Sequence, residues 1–279
     1  MTLKQVLSHA REMLNTNNIE DAPLECELLL RQALKMSRVR LYLELDSELD
    51  QRHEEIFWSL IKRCLNGEPT AYITGHREFY GLDFYVDRRV LIPRPESELL
   101  VERALKLAQN GTVSTIAEIG TGCGAIAISL ALELPQVKIY ATDISAFAIE
   151  VASLNCQKFG VADRIYLRHD NMLDTLPGTI DLIVANLPYV KESELPRMRS
   201  ASSEPRLALD GGSDGLVKIS QLCNQVTSRL RAEGCLLLEI GYGQRKAVTN
   251  LLRNLFPSAK IEVTPDLRGI DRVVSLILS

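Results

Sequence analysis

Histidine, tryptophan and surplus positive charge are what this chain has least of. The four histidines, His9, His53, His76 and His169, stand far apart without ligand spacing, which argues against a metal site. The single tryptophan, Trp58, lies in a helical pattern and reads as core. No C-x-x-C pair occurs among Cys26, Cys64, Cys123, Cys156, Cys223 and Cys235, all in apolar or glycine-rich surroundings. They read as reduced thiols, not as a disulfide frame or a zinc site. No apolar run approaches ~18 residues, and Met1 to Val6 holds no cationic segment ahead of an apolar one, so neither a membrane span nor a leader is expected. Lys plus Arg number 32 against 36 Asp plus Glu, a net charge of −4, which excludes bulk attraction to a polyanion. The expectation is a cytoplasmic monomer without metal, membrane contact or stable nucleic-acid binding.

What the chain does have is 46% hydrophobic residues in 279, enough for a sizeable core. Leu3, Val6, Leu7, Ala10, Met13 and Leu14 follow the spacing of one buried helical face. Asp21-Ala22-Pro23 is a start signal before Leu24 to Leu34, and a third helix over Gln51 to Leu65 ends at Asn66-Gly67. Residues 1–70 carry nine basic and twelve acidic side chains, so this helical domain has no basic stripe and reads as a small adaptor that docks a protein partner or packs on the main domain. The aromatic texture from Tyr72 to Val90, with Gly75 and Gly81 as turns, predicts a β-hairpin linker over 71–93. Ile92-Pro93-Arg94-Pro95-Glu96 is a fixed extended loop, because neither proline fits inside a helix or central strand.

From Thr115 onwards, apolar runs at Ile116–Ile119, Ile139–Ala141, Leu182–Ala185, Cys235–Ile240 and Val273–Leu278 alternate with helical patterns. Short apolar strands separated by helices predict a doubly wound, Rossmann-like α/β domain over 94–279 with a parallel sheet covered on both faces.

Gly120-Thr121-Gly122-Cys123-Gly124 follows the first of these strands and opens a helix. Glycines let the backbone turn tightly and a ligand come close. The spacing is neither that of a dinucleotide fingerprint nor that of a phosphate loop. Asp143 ends the next strand, about 20 residues on, where a carboxylate can accept both hydroxyls of a ribose. A plain turn and a nicotinamide site remain open readings. Glu118 and Asp143 together favour S-adenosylmethionine, whose sulfonium and ammonium are cationic.

Asn186-Leu187-Pro188-Tyr189 ends another apolar strand, where open α/β sheets bind ligands. These residue types suit methylation of a planar NH2 group. Its delocalised lone pair is a poor nucleophile, and positive charge grows on the nitrogen during attack. The Asn186 side-chain oxygen and the Leu187 carbonyl are acceptors that would stabilise that charge most in the transition state. Pro188 stiffens the backbone and Tyr189 can stack on a flat acceptor. The bland reading is an ordinary strand exit.

The chain resembles the peptide chain release factor glutamine N5-methyltransferases over essentially its whole length. The resemblance rests on Pro69 to Gly75 with Glu78-Phe79-Tyr80-Gly81, on Leu91-Ile92-Pro93-Arg94-Pro95-Glu96, on Gly120 to Ile126, and on Arg268-Gly269-Ile270-Asp271-Arg272. It implies methyl transfer from S-adenosylmethionine to the glutamine amide of the Gly-Gly-Gln motif in class 1 release factors, a step of translation termination. It implies that Gly120, Thr121, Gly122, Cys123 and Gly124 line the cofactor site, that Asp143 holds the ribose, and that Asn171 lies beside the adenine. Asn186 is implied in both cofactor and substrate binding; Leu187, Pro188 and Tyr189 hold the amide; Asn186, Pro188 and Tyr189 carry catalysis. Phe79, Tyr80 and Arg94 are candidates for the glutamine pocket, and Glu96 for a cap or a substrate contact. The family motif has two prolines, so Leu187 predicts a less stiff backbone here. Asn-Leu-Pro-Tyr also occurs in adenine methyltransferases. A nucleic-acid adenine N6-methyltransferase is therefore the alternative, and it would want a basic groove or a target-recognition domain, whereas residues 1–70, with nine basic and twelve acidic side chains, count −3 instead.

Overall fold

The computed structural model describes residues 1–109, 113–198 and 203–278. Their contacts divide the chain into two units, Met1–His76 and Arg77–Ser279.

The first unit is helical: α1 (Leu3–Thr16), α2 (Ala22–Leu34), α3 (Arg38–Leu43), α4 (Gln51–Leu65) and α5 (Thr70–Thr74). Thr2 and Gln5 close a reciprocal capping box on α1, satisfying two backbone N–H groups that the helix leaves open. Asp50 caps α4 in the same sense, accepting from the His53 amide at 3.1 Å. The expected face of α1 is buried: Leu3, Val6, Leu7, Ala10 and Leu14 pack with Leu29, Leu30, Phe57 and Ile61. Trp58 is half-buried against this core, and its indole N–H donates to Glu54. Tyr72 and Ile73 fall in α5, so the hairpin starts later than its aromatic texture predicts. Both side chains are buried, and a short apolar run has no period to tell a helical turn from a strand.

β1 (His76–Phe79), which starts on the last residue of the first unit, and β2 (Leu82–Tyr85) form the hairpin. Tyr80 (φ 52°) and Gly81 (φ 70°) both turn left-handed, which matches strand twist in a two-residue hairpin loop. Pro95–Ser97 is a single 3-10 turn that leads into α6 (Glu98–Ala108), so the proline loop is extended only up to Arg94.

A seven-stranded sheet follows: β3 (Thr115–Ile119), β4 (Lys138–Asp143), β5 (Ile165–His169), β6 (Ile180–Ala185), β7 (Leu230–Glu239), β8 (Lys260–Pro265) and β9 (Asp271–Ile277). Between them run α7 (Ala125–Glu133), α8 (Ala146–Lys158), α9 (Val217–Arg229) and α10 (Arg245–Leu255). Strand order is β5-β4-β3-β6-β7-β9-β8. All six residues of β6 are buried, and neighbouring side chains point to opposite faces, so both faces are covered. Ile219, Leu222, Val226, Val248 and Leu252 of α9 and α10 close over Ile183, Leu236 and Val274.

The sheet is mixed, which corrects the all-parallel expectation. β9 runs antiparallel to both β7 and β8, pairing Leu237 with Ser275 and Val263 with Val274. Apolar content reports burial and carries no direction. The chain steps from β3 to β4 on one side and reaches β6 on the other. That reversal opens a crevice at the carboxyl ends of β3, β4 and β6, where the chemistry-bearing motifs lie.

Candidate active site

The glycine loop is built by its backbone. Gly120, Gly122 and Gly124 have φ of 74°, 57° and 85°, a left-handed series closed to bulky residues. The Gly120 and Thr121 amides both donate to the Thr142 carbonyl at 2.9 Å, which ties the loop to β4. A Cβ on Gly122 would meet nothing within 4 Å, so this glycine faces open space. Glu118 is buried beneath the loop, where one carboxylate oxygen accepts from Thr121 Oγ1 (2.6 Å) and the Ala127 amide (3.0 Å). It therefore holds the loop and the first turn of α7. Burial pushes its carboxyl up to about 8. The same cause raises the Cys123 thiol to about 12, which makes it an inert small side chain.

At the end of β4, Asp143 accepts from the Gly122 and Ser145 amides, each at 2.9 Å, one on each oxygen. Burial holds its carboxyl above the ordinary aspartate range. Asn171 stands after β5, its amide held by Asp170 at 2.8 Å, and Met172 beside it takes a left-handed φ of 58°.

Beyond β6, the Asn186 carboxamide donates to Ser97 Oγ at 2.8 Å. Ser97 in turn donates to Glu239 Oε2 at 2.6 Å, and the Tyr189 hydroxyl reaches Glu239 Oε1 at 3.3 Å. Leu187 is buried in the core beside Gly120, which replaces some of the stiffness its missing proline ring would give. The rest comes from behind. A Cβ on Gly211 would stand 2.8 Å from the Pro188 carbonyl oxygen and from Tyr189 Cα, so that loop is pressed against the back of the motif. Gln244 Nε2 donates to the Tyr189 and Gly215 carbonyls at 3.0 and 3.1 Å.

Two cavities meet at this point. The larger, an open cleft, is lined by Gly120, Gly122, Asp143, Asn171, Leu187 and Pro188 among others. The smaller is lined by Phe79, Pro93, Arg94, Ser97, Thr121 and Cys123 among others. Leu91, Gly120, Gly122 and Asn186 belong to both walls. The sequence-derived candidates are therefore brought together, with four exceptions. Gly124 is the residue before α7 and touches neither cavity; Tyr80 is a hairpin turn residue; Glu96 stands in the 3-10 turn ahead of α6 and lines neither cavity; Tyr189 lies against the sheet core with its hydroxyl on Glu239.

Sequence reasoning missed Ser97, Glu239, Glu204 and Arg89. Glu204 is buried, pairs with Arg94 and accepts from the Ile92 amide at 3.1 Å, pinning the proline loop. Arg89 lines the large cleft, fixed by Asp87 and Glu150. The one available signal was Glu239, a lone charge in the apolar run Cys235–Ile240.

Residues 5–75 match the family model for the PrmC N-terminal domain, and 95–201 that for the methyltransferase small domain. The release factor glutamine methyltransferase of Moorella thermoacetica is 43% identical over 274 residues, covering 98% of this chain and 97% of that one. The protein of the same description from Koribacter versatilis is 38% identical over 278 residues, covering 98% of each. Among solved structures, the hMettl16 catalytic domain superposes with a TM-score of 0.58 at 17% identity, over 71% of this chain and 76% of that one, a likeness of fold.

Proposed function

The chain belongs to the release factor glutamine methyltransferase family, and on that premise we propose that it methylates the side-chain amide of the glutamine in the Gly-Gly-Gln motif of class 1 peptide chain release factors, with S-adenosylmethionine as donor. The observation that carries the proposal is the shared wall: Asn186, Gly120 and Gly122 belong at once to a large cleft and to a smaller pocket. A donor in one and an acceptor in the other would meet at Asn186.

The residues of the large cleft fit the donor. The Asp143 carboxylate keeps lone pairs beyond the two amides it already accepts, and they suit ribose hydroxyls. The space over Gly122 leaves the backbone open to close approach. Ile119, Ile144 and Met172 give apolar walls for a flat base, with Asn171 beside them. The bound donor supplies an electrophilic methyl on a sulfonium.

The protein's part is to hold the acceptor nitrogen and favour the charge that forms there. With its NH2 group bonded to Ser97, Asn186 has its oxygen left to accept an N–H from the glutamine amide. The Leu187 carbonyl is the second acceptor. Both strengthen as the nitrogen turns positive, so they act on the transition state. No base is required beforehand, because the methylated nitrogen is acidic and loses its proton afterwards.

The helical unit is read as the docking module. On α3, Val39 and Leu43 stand one turn apart and are 71% and 82% exposed, an apolar pair with no role in its own core.

Mass spectrometry of a co-expressed release factor tests the activity: one glutamine should gain a methyl group, and RNA offered in its place should gain none. Asn186→Ala should lose about 10²–10³ in rate while cofactor affinity changes little. Near wild-type turnover in that variant would remove the amide clamp.

A further inference from the structure

We propose that Glu239 is a positioning residue for the transfer, fixing through Ser97 which end of the Asn186 carboxamide faces the acceptor. This rests on the amide clamp of the preceding subsection. A carboxamide has one accepting and one donating end, and only the accepting end suits an NH2 substrate. Nothing in the Asn186 side chain itself selects between them. The choice is made by its neighbour.

Ser97 Oγ is buried and has a single proton. Glu239 is 2% exposed and, when ionised, can only accept. At 2.6 Å it claims the Ser97 proton. Ser97 then offers Asn186 a lone pair alone, so Asn186 must present its NH2 group there, as it does at 2.8 Å. The oxygen is left for the acceptor. Once Glu239 is protonated, it can donate to Ser97, and Ser97 can turn its own proton to Asn186. The carboxamide is then free to reverse, showing an NH2 group to an NH2 substrate.

The charges around Glu239 set where this happens. Arg272 of β9 favours the ionised form, although Asp266 holds Arg272 at 2.9 Å. Glu96 of the 3-10 turn opposes it, and the Tyr189 hydroxyl supports it from the β6 loop. Glu98 of α6 is bonded to the Tyr80 amide. Burial dominates and brings Glu239 to about 7. Turnover should therefore rise with pH through this region.

The test uses the full chain and whole release factor, with Glu239→Gln, Ser97→Ala, the double variant and Asn186→Ala. Partners that orient metal ligands cost about 10–100-fold on removal, and a loss of that size in kcat is expected here for each single variant. KM for both substrates should stay within about twofold. The double variant should lose no more than Ser97→Ala, because both act through one path. The rise of kcat near pH 7 should vanish in Glu239→Gln. Unchanged kcat and pH profile in Glu239→Gln would overturn the proposal. So would additive losses in the double variant, or a loss that tracks melting temperature and cofactor affinity. An active Asn186→Ala would overturn the clamp itself, whereas an inactive one beside a fully active Glu239→Gln would remove Glu239 alone.

Discussion

Asn155 of α8 bonds the Tyr85 amide and the Tyr85 and Cys123 carbonyls, each at 2.9 Å, so a single fully buried side chain joins the hairpin to the glycine loop. All three partners are backbone groups. Asn155→Ala takes this partner from each of them, at about 1–3 kcal/mol for the buried Cys123 carbonyl and less for the half-buried Tyr85 groups, which water can reach. The expected loss is about 2 kcal/mol or more in denaturant unfolding, with weaker cofactor binding. A loss below about 1 kcal/mol would show that the loop is held by other means.

Gly211→Ala drives a methyl group onto the Pro188 carbonyl and Tyr189 Cα. The motif must shift, and displacements of about 1 Å near reacting atoms cost on the order of 10² in rate. Cofactor affinity should change far less, since the glycine loop and Asp143 lie elsewhere. Steady-state kinetics beside calorimetric binding separates the two, and equal losses in both would contradict the packing account.

Asp143→Ala should weaken cofactor binding at least about tenfold, from one or two charge-assisted bonds at ~1.5–3 kcal/mol each. Burial raises the Asp143 carboxyl, so wild-type affinity should also fall on acidification before an exposed aspartate would protonate. Calorimetry across pH reads both effects, and unchanged affinity in the variant would take Asp143 out of the site.

Glu118 rises from 4.5 to about 8 on folding, chiefly by burial, with Asp143 adding repulsion. The folded state thus prefers the protonated form. Its contribution to stability is complete below about 4.5 and is lost as pH climbs to about 8. Glu118→Gln keeps an accepting oxygen for Thr121 and Ala127 and cannot ionise. Its melting temperature should vary less over this window than that of the wild type, leaving the smaller slope from Glu239. Parallel curves for the two proteins would contradict this.

Val39→Asp with Leu43→Asp should raise KM for the whole release factor several-fold and leave kcat and cofactor affinity unchanged, as loss of a docking contact does. An unaltered KM would free α3 from that role.

The parts of the site that the sequence revealed are those with local signatures. Gly120 to Gly124 and Asn186 each follow an apolar strand at once, Asp143 ends one, and turn chemistry is written in neighbouring residues. The relay from Asn186 to Glu239 joins positions 89 and 142 residues apart through Ser97, and no local pattern marks such a pair. The same holds for Arg94 and Glu204. In the fold, β5 and β8 escaped notice because they are edge strands. β5 shows one buried residue in five, and β8 is half-buried along its length and ends in Pro265. Both lack the apolar run that marks a covered strand. Helix α3 is too short for a period to form.

The place of β9 between β7 and β8 also sets the order in which the protein can be assembled. β8 leaves the ribosome first but has no edge to join, since its ladder runs to β9. Until Asp271–Ile277 emerges, β7 presents Leu236, Leu237 and Leu238 along an unpaired edge, a template for any passing strand. A chain cut short before Asp271 therefore lacks two strands instead of one, and leaves the edge at Leu236–Leu238 open to aggregation.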